Sequence, residues 1–287
     1  MADALYALRK THSVRPWLFS GLRHALLASG GLLMIAPFIL MVSISLKSPG
    51  EIFSPEFHLL PQQWHAWENY STAFAKQPLL RYLANGLIVT AAIFLMQAIF
   101  ALPCAYALAK LRWRGRETSF LFVLLGLLIP PQVPAIPLYI GLWKFGLLDS
   151  YAALILPSSI SVFGIFLMRQ FFRTVPDDLL HAARLDGMSE FGIVWRVMLP
   201  TAMPALVAFG LLSLVWNWND FFWPLLVIQS QHLATPPLGV VFFNNAEAGT
   251  NYGPLMAAAT VITAPLVIAF LVAQRWFIDG VTMTAVK

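Results

Sequence analysis

Long uncharged apolar runs are the feature of this sequence that most restricts its fold. A helix needs about 20 residues to cross about 30 Å of hydrocarbon. Six runs reach or approach that length without a charged residue, and they cover residues 25–46, 83–109, 118–143, 150–168, 197–219 and 248–274. The sequence therefore predicts an all-α, polytopic membrane protein with six transmembrane helices.

Composition supports lipid as the medium around most of the chain. Hydrophobic residues make up 59% of the 287 residues and charged residues 11%, so a globule of this size could not cover itself with polar groups. The net charge of +5 fits the excess of cations in the cytoplasmic loops of membrane proteins. No nucleic-acid partner is expected, and the lone Cys104 excludes an intramolecular disulfide.

A further uncharged stretch, residues 221–246, competes for a seventh span. Polar and proline-rich breaks at 229–232 and 235–237 divide it into pieces too short to cross, and lipid does not tolerate backbone groups without hydrogen bonds. We therefore expect no span there, and we expect the apolar piece 238–243 to lie in an outer loop.

The distribution of cations predicts the orientation. With six spans, fourteen of the 18 Lys and Arg residues fall on the side of the N-terminus and four on the other side. This bias places the segment 1–24 and the C-terminus in the cytoplasm, with residues 25–287 as the six-span domain in the cell inner membrane. The first apolar run is too long for a signal peptide and lacks an obvious cleavage site, so we expect it to be retained.

The segment from His181 to Pro200 is polar and amphipathic, although it lies between two apolar runs. Its charged residues must stay outside the hydrocarbon. Its apolar positions favour contact with a protein partner, and they are Ala182, Ala183, Leu185, Met188, Ile193, Val194 and Leu199. The segment is typical of a docking platform on the cytoplasmic side.

Prolines are concentrated in the third predicted span. Pro130, Pro131, Pro134 and Pro137 surround Gln132, so the helix must be broken or kinked, and the freed carbonyl groups require helix neighbours or a water-filled cavity. A translocation pathway is one interpretation of this cluster. A packing kink without a role in transport is the other.

The fifth predicted span ends in a polar stripe. On a helix, Ser213, Asn217 and Asp220 lie within roughly 60° of one another, with Trp216 beside them. Aromatic planes next to amide and carboxylate groups suit sugars, so the stripe is a candidate pathway lining. Polar contacts between helices, together with an interfacial tryptophan, are the alternative.

Several kinds of chemistry leave no sequence signal here. There is no Gly-rich phosphate loop followed by Lys and Ser or Thr, and no metal-binding spacing of His, Cys and Asp. The span interiors carry no acidic or basic residues for a proton relay. We therefore expect no enzyme activity, no catalytic residue and no cofactor bound by this chain. The alternatives are a secondary transporter, a membrane-embedded enzyme or a purely structural subunit.

Residues 44–287 resemble the carbohydrate-importing class of binding-protein-dependent ABC permeases, in the subunit similar to the second permease of maltose and glycerol-phosphate systems. Ala182, Ala183, Asp186, Gly187 and Leu199-Pro200 match the coupling segment of that family, although His181 stands where the family has Glu. Further matches are Glu68-Asn69-Tyr70, Leu148-Asp149-Ser150-Tyr151, Arg169-Gln170-Phe171-Phe172, Val175-Pro176, Trp216-Asn217, Trp223-Pro224-Leu225, Met256-Ala257-Ala258 and Gln274-Arg275.

The resemblance implies the composition of a complex. The chain would pair with a second permease subunit and with two cytoplasmic ATPase subunits, which use ATP and Mg²⁺. An extracytoplasmic solute-binding protein would deliver a sugar-like small molecule, and membrane lipid would surround the spans. Transport would proceed by alternating access, driven through a short cytoplasmic coupling helix that occupies a groove of the ATPase.

The resemblance also implies the site residues. The coupling segment is 176–200, and the residues assigned to ATPase coupling are Pro176, Asp177, Asp178, His181, Ala182, Ala183, Asp186, Gly187, Leu199 and Pro200. Ala183 and Gly187 are expected to pack closely in the groove, with Asp177 or Asp178 supplying the negative charge that His181 lacks. The residues assigned to the translocation pathway come from the proline cluster and the polar stripe, not from the resemblance, and they are Gln132, Ser213, Trp216, Asn217 and Asp220.

Overall fold

The computed structural model describes residues 16–241 and 251–285, with side chains described for 20–241 and 251–272. Helices and connecting loops make up these ranges, which contain no strand. The helices are α1 (Pro16–Ser45), α2 (Pro49–Ile52), α3 (Ala66–Lys76), α4 (Leu79–Ala109), α5 (Arg116–Leu127), α6 (Ala135–Lys144), α7 (Tyr151–Ile155), α8 (Val162–Thr174), α9 (Asp177–Leu185), α10 (Glu190–Ile193), α11 (Leu199–Thr201), α12 (Met203–Trp218), α13 (Phe222–Val227), α14 (Pro236–Val241) and α15 (Tyr252–Ala285). The all-α prediction is confirmed.

Three described helices are long and apolar enough to cross a membrane: Ser20–Ser45 of α1, the whole of α4 and Tyr252–Val272 of α15. A fourth span is possible if the bent pair Glu190–Thr201 and Met203–Trp218 is counted as one, with a bend of 84° between its halves. The multi-pass prediction is confirmed, whereas the count of six spans stays a prediction.

Two expected spans are each divided into shorter helices. Between α5 and α6 the break contains Pro130, Pro131 and Pro134, as expected from the missing backbone N–H of proline and its effect on the preceding residue. The prediction of a continuous helix over 150–168 is wrong. There α7 ends before Pro157, and α8 begins only at Val162, where Ser161 Oγ accepts a hydrogen bond from Gly164 N at 3.0 Å.

The chain forms two compact units, of which the smaller comprises 1–70 with 251–260 and the larger comprises 71–250 with 261–287. In the smaller unit, Asn69 holds the turn that follows α1. Its amide Nδ2 donates to the backbone oxygens of Ser45, at 3.0 Å, and Lys47, at 2.9 Å. Asn69 of the Glu68-Asn69-Tyr70 motif thus has a structural role here.

Helix α4 is the centre of the larger unit, where α5, α7, α8, α12 and α14 contact it. Two glycines allow close approaches in this unit. A Cβ added at Gly164 of α8 would lie 2.3 Å from Phe209 of α12, and one added at Gly239 of α14 would lie 2.2 Å from the ring of Tyr82. Neither position could take a side chain without movement of its neighbour.

The stretch 221–246 forms no continuous span over its described part, which ends at 241. Instead α13, a 3₁₀ turn (Gln231–Leu233) and α14 follow one another. The piece 238–241 is helical and not a loop, since it belongs to α14, where Leu238 and Gly239 are buried and α14 packs on α4. Its placement on the outer side stays a prediction. Residues 242–250, like the predicted cytoplasmic segment up to residue 15, lie outside the described ranges.

Candidate coupling site

Helix α9 has local signals at both ends that explain its boundaries. Pro176 is its N-cap in an extended conformation, and Asp177 and Asp178 in the first turn complement the positive end of the helix dipole. After Leu185 the chain reverses at Gly187, whose φ is 79°. The backbone N–H groups of Gly187 and Met188 donate to Arg184 O and Ala183 O, each at 3.0 Å, which is the Schellman arrangement.

One face of α9 is buried in this chain. Leu180 and Ala183 join an apolar cluster with residues of α4, α8 and the π-helical turn Val194–Met198. Ala183 is 5% exposed, because neighbouring residues of this chain cover its methyl group. The prediction that Ala183 packs in an ATPase groove is therefore wrong.

The other face of α9 is exposed and differs from the face predicted. Leu185 is 89% exposed, and Ala182 is exposed beside it. The remaining apolar residues of the segment are partly or fully buried against the same cluster, namely Met188, Ile193, Val194 and Leu199. The exposed face of α9 is therefore formed by Asp178, Leu179, His181, Ala182 and Leu185.

Gly187 and the Leu199-Pro200 pair have structural roles at the two ends of the segment. Gly187 is exposed, and a Cβ there would meet nothing within 4 Å. Within this chain its requirement for glycine comes from the positive φ, and its close packing in the ATPase groove stays a prediction. Leu199 and Pro200 begin α11 at the 84° bend, away from the exposed face of α9. Asp186 is the C-cap of α9 and is exposed.

The start of α9 is tied to the end of α4 by Lys110. Its Nζ donates to Asp177 Oδ1 at 2.6 Å and to Val175 O at 2.5 Å. The hydrogen bond from Lys110 is the main cause that holds the pKa of the Asp177 carboxyl below its usual value. Asp177 is therefore paired within the chain. On the exposed face of α9, the acidic residue is Asp178.

The end of α9 is tied to α4 through Glu190. Arg184 Nε donates to Glu190 Oε1 at 2.7 Å, and the Tyr106 hydroxyl of α4 donates to Glu190 Oε2. The Arg184 hydrogen bond, followed by the one from Tyr106, outweighs partial burial and lowers the pKa of Glu190. Neither Glu190 nor Tyr106 was predicted as a site residue, because their partners are six and 84 positions away in the sequence.

The predicted pathway residues do not form one stripe. Ser213 is buried, its Oγ donates to Gln97 Oε1 at 2.7 Å, and Asn217 Nδ2 donates back to Ser213 O at 2.8 Å. Gln97 Nε2 in turn donates to Ser158 O at 2.8 Å. Ser213 therefore takes part in contacts between helices, which was the alternative interpretation.

The other pathway residues are more accessible. Trp216 is 67% exposed on α12, and Gln132 is exposed in the break between α5 and α6. Asp220 is not on the helix of the stripe, because α12 ends at Trp218. Its Oδ1 accepts a hydrogen bond from Trp223 N at 3.3 Å at the start of α13.

A second polar network lies at the end of α4 opposite Lys110. Asn85 is 2% exposed, and its Nδ2 donates to His232 O at 3.0 Å and Ala234 O at 2.9 Å. Tyr151 OH donates to Asn85 Oδ1 at 2.6 Å. The backbone N–H groups of Gln229 and Ser230 donate to Asp149 Oδ1 at 3.0 and 2.9 Å. This network accounts for Asp149 and Tyr151 in the Leu-Asp-Ser-Tyr motif.

The family model for the inner membrane component of binding-protein-dependent transport systems matches residues 97–283. The chain belongs to this family. It is a multi-pass inner-membrane permease component of an ABC importer and not an enzyme, because ATP is hydrolysed by separate ATPase subunits. Across the described residues, no group of three or more His, Cys, Asp or Glu side chains is placed to hold a metal ion.

Named relatives cover nearly the whole chain. The chain is 35% identical over 253 residues to the probable ABC transporter permease protein YurM of Bacillus subtilis, covering 88% of this chain and 83% of the relative. It is 31% identical to the arabinooligosaccharides transport permease AraQ of Halalkalibacterium halodurans, with 97% and 99% covered. It is also 31% identical to the sn-glycerol-3-phosphate transport permease UgpE of Yersinia pestis, with 90% and 94% covered.

Solved structures agree with the fold. A bacterial ABC transporter involved in import of the acidic polysaccharide alginate contains a chain that superposes with a TM-score of 0.81 at 26% identity, covering 93% of this chain and 99% of that one. A chain of the alginate transporter in complex with an alginate pentasaccharide-bound periplasmic protein gives a TM-score of 0.61 at 16% identity, with 92% and 96% covered. The second likeness supports the fold alone.

Proposed function

We propose that this chain forms half of the translocation pathway of an ATP-driven importer for a carbohydrate or a related polyol or sugar phosphate. Its relatives are named for arabinooligosaccharides and sn-glycerol-3-phosphate, and a structural neighbour for alginate. These cargos share several hydroxyl groups on a carbon chain. The working complex would contain a second permease, two ATPase subunits that bind ATP and Mg²⁺, and an extracytoplasmic solute-binding protein.

The exposed face of α9 is the observation that carries this proposal. Leu185, which is 89% exposed, and Ala182 form an apolar surface next to Asp178 and His181. The other face of this helix is buried. Covering one leucine side chain is worth about 1.5–3 kcal/mol, so a protein groove at this face would gain affinity from Leu185. We propose that the groove belongs to the ATPase and that His181 lies at the contact.

Transmission of the ATPase motion follows from the buried face of α9. Leu180 and Ala183 are packed against α4, α8 and the π-helical turn, without space for α9 to slide independently. A displacement of α9 by the ATPase would therefore be passed to the helices around it. Closed and open arrangements of packed helices are a common basis of alternating access.

The pathway itself is proposed to run past Trp216, Asn217 and Gln132. Trp216 offers an exposed aromatic face, on which the C–H groups of a sugar can stack. Asn217 is half-buried next to it, and Gln132 is exposed. Ser213 contributes by orienting Asn217, and Asp220 by fixing the start of α13.

The docking proposal is tested by Leu185→Asp in a complex purified through its ATPase. Loss of about 1.5–3 kcal/mol corresponds to a reduction in docking of roughly tenfold or more, with parallel loss of ATP hydrolysis stimulated by the solute-binding protein. The matched control is Leu60→Asp, which changes a leucine that is 75% exposed in the smaller unit. Co-purification of ATPase should be unchanged in this control.

Crosslinking provides a second arm of that test. A cysteine at His181, in a Cys104→Ser background, should form a disulfide with a cysteine in the ATPase groove, whereas a cysteine at the buried Leu180 should not. Normal ATPase recovery and transport by Leu185→Asp, together with no crosslink from position 181, would show that α9 does not dock there.

A further inference from the structure

Two side chains of α4 contact the two ends of the proposed docking helix α9. Lys110, the C-cap residue of α4, binds Asp177 in the first turn of α9. Tyr106 binds Glu190, which binds Arg184 in the last turn. Because Tyr106 and Lys110 are four residues apart, they lie on one face of α4.

Glu190 connects Arg184 to Tyr106, because its two oxygens accept separately from Arg184 Nε, at 2.7 Å, and from the Tyr106 hydroxyl. Arg184 also contacts Tyr106 directly, since its Nη2 donates to the Tyr106 hydroxyl at 3.4 Å. The end of α9 therefore has two contacts with α4, one direct and one through Glu190.

Because they are buried, the Lys110 ammonium group and the Tyr106 hydroxyl depend on these hydrogen-bond partners. The Lys110 side chain is 7% exposed, so its ammonium group cannot exchange Asp177 and Val175 O for bulk water without moving. Tyr106 is also buried and directs its hydroxyl to Glu190. Between the two ties, Leu180 and Ala183 fill the space against the same cluster as Tyr106.

We propose that Lys110 and Tyr106 are positioning residues that make α4 move together with the coupling helix. Through chain connectivity alone, a displacement of α9 would move α8, which precedes it, and α12, which follows after α10 and α11. The two contacts hold both ends of α9 on α4, in addition to the apolar packing of Leu180 and Ala183, although Lys110 is 67 residues away from Asp177 in the sequence. This inference rests on the proposed docking of α9 to the ATPase.

The experiment measures whether α4 follows α9 when the ATPase closes. Spin labels are placed at Asp186, the exposed C-cap residue of α9, and at the exposed Ile88 on α4, in a Cys104→Ser background. The complete complex in lipid nanodiscs is compared without nucleotide and after trapping with ATP, Mg²⁺ and vanadate. The intact protein is expected to keep the same distance between the labels in both states.

Three variants each weaken or remove one of the two contacts, the Lys110–Asp177 pair or the Tyr106–Glu190 hydrogen bond. Lys110→Met removes the ammonium group, Tyr106→Phe removes only the hydroxyl, and Asp177→Asn weakens the first tie from its solvent-facing side. Each is expected to let the distance between labels change by about 1–2 Å or more on trapping. Lys110→Arg, which keeps a cation near Asp177, should restore the constant distance, a result that a packing role alone would not give.

The outcomes separate this inference from the docking proposal. Crosslinking of position 181 to the ATPase is measured in the same variants. If crosslinking persists and the distance behaves alike in the intact protein and in the three variants, the inference about α4 is overturned alone. If no variant and not even the intact protein crosslinks, docking of α9 is overturned, and the inference falls with it.

Discussion

Helix α4 is held by charged groups at one end and mainly by neutral groups at the other. At the end that contains Lys110, here called the coupling end, the Lys110–Asp177 ion pair connects it to α9, and the Tyr106 hydroxyl connects it to Glu190, which pairs with Arg184 of α9. At the opposite end, here called the far end, the buried Asn85 amide binds two backbone carbonyl groups and the Tyr151 hydroxyl. The two sets of contacts respond differently to water.

At the coupling end, the carboxylates reach solvent. The side chain of Glu190 is 45% exposed, so water can hydrate it when a partner is removed. A surface ion pair of this kind contributes about 0–1 kcal/mol. The contacts at this end therefore add little to the free energy of unfolding, although they fix the position of α9 relative to α4.

At the far end, water has little access to the network. Asn85 is 2% exposed, and each buried polar group that loses its partner costs about 1–3 kcal/mol. The segment from His232 to Ala234 should therefore stay attached to α4 whatever the state of the ATPase. The comparison predicts that substitutions at the far end affect stability far more than those at the coupling end.

The largest effect is expected for Asn85→Leu. Leucine has nearly the same size but leaves His232 O, Ala234 O and the Tyr151 hydroxyl without their partner. Three such losses lower the free energy of unfolding by about 3 kcal/mol or more. For domains of this size, that loss corresponds to a decrease in Tm of about 6–12 °C. The Tm is measured in detergent by tryptophan fluorescence.

The control for Asn85→Leu is Tyr151→Phe. It removes a single hydroxyl from the same network, so about one third of the effect is expected. A Tm for Asn85→Leu within about 2 °C of the intact protein would correspond to a loss of no more than about 1 kcal/mol. That result would show that the far end contributes no more to stability than the coupling end.

An intermediate effect is expected for Gly239→Ala, also at the far end. The added Cβ would lie 2.2 Å from the Tyr82 ring, which is buried and cannot move aside freely. Overpacking of this kind costs about 1–3 kcal/mol. The measurement is again Tm in detergent, and the matched control is Gly141→Ala in α6.

At Gly141 a Cβ would meet nothing within 4 Å. Alanine is the better helix former, so this control should be neutral or more stable by about 0.5–1 kcal/mol. Equal Tm values for the two alanine variants would contradict the close packing of α14 on α4.

The coupling helix shows which features could be predicted from sequence. Its boundaries follow from local chemistry, since Pro176, the adjacent aspartates and Gly187 act within a few residues of their own positions. The face that packs inside the chain could not be predicted in the same way. Ala182 and Ala183 are chemically identical neighbours, and only contact with α4 and α8 determines that Ala183 is buried and Ala182 exposed.

Polar residues inside the bundle show the same limit over a longer range. Ser213 and Asn217 were grouped by helical spacing, which correctly placed them one turn apart. Their interpretation as pathway lining missed Gln97, which lies 116 positions earlier and satisfies the Ser213 hydroxyl. A single sequence gives no signal for a pair that distant, whereas the break in the fourth expected span could have been found from Pro157.

The smallest effect is expected for Glu190→Gln at the coupling end. The amide keeps one oxygen as an acceptor for Arg184, and its NH2 group can donate to the Tyr106 oxygen, so the charge is lost while both neighbours keep a partner. The expected decrease in stability at pH 7 is about 0–1 kcal/mol. The pKa of Glu190 is lowered in the folded protein, chiefly by Arg184. Its contribution is therefore present above the ordinary glutamate pKa of about 4.3 and is lost as the pH falls through the lower folded value.

The check is the Tm difference between Glu190→Gln and the intact protein, measured from pH 7 down to about pH 3.5. The difference should be small at pH 7 and should begin to shrink below the ordinary glutamate pKa of about 4.3. It should disappear only below the lowered folded pKa of Glu190, where both proteins carry a neutral group at position 190. A loss at pH 7 as large as that of Asn85→Leu would mean that the Arg184, Glu190 and Tyr106 contacts form a rigid core element. In that case the two ends of α4 would not differ in how much their contacts contribute to stability.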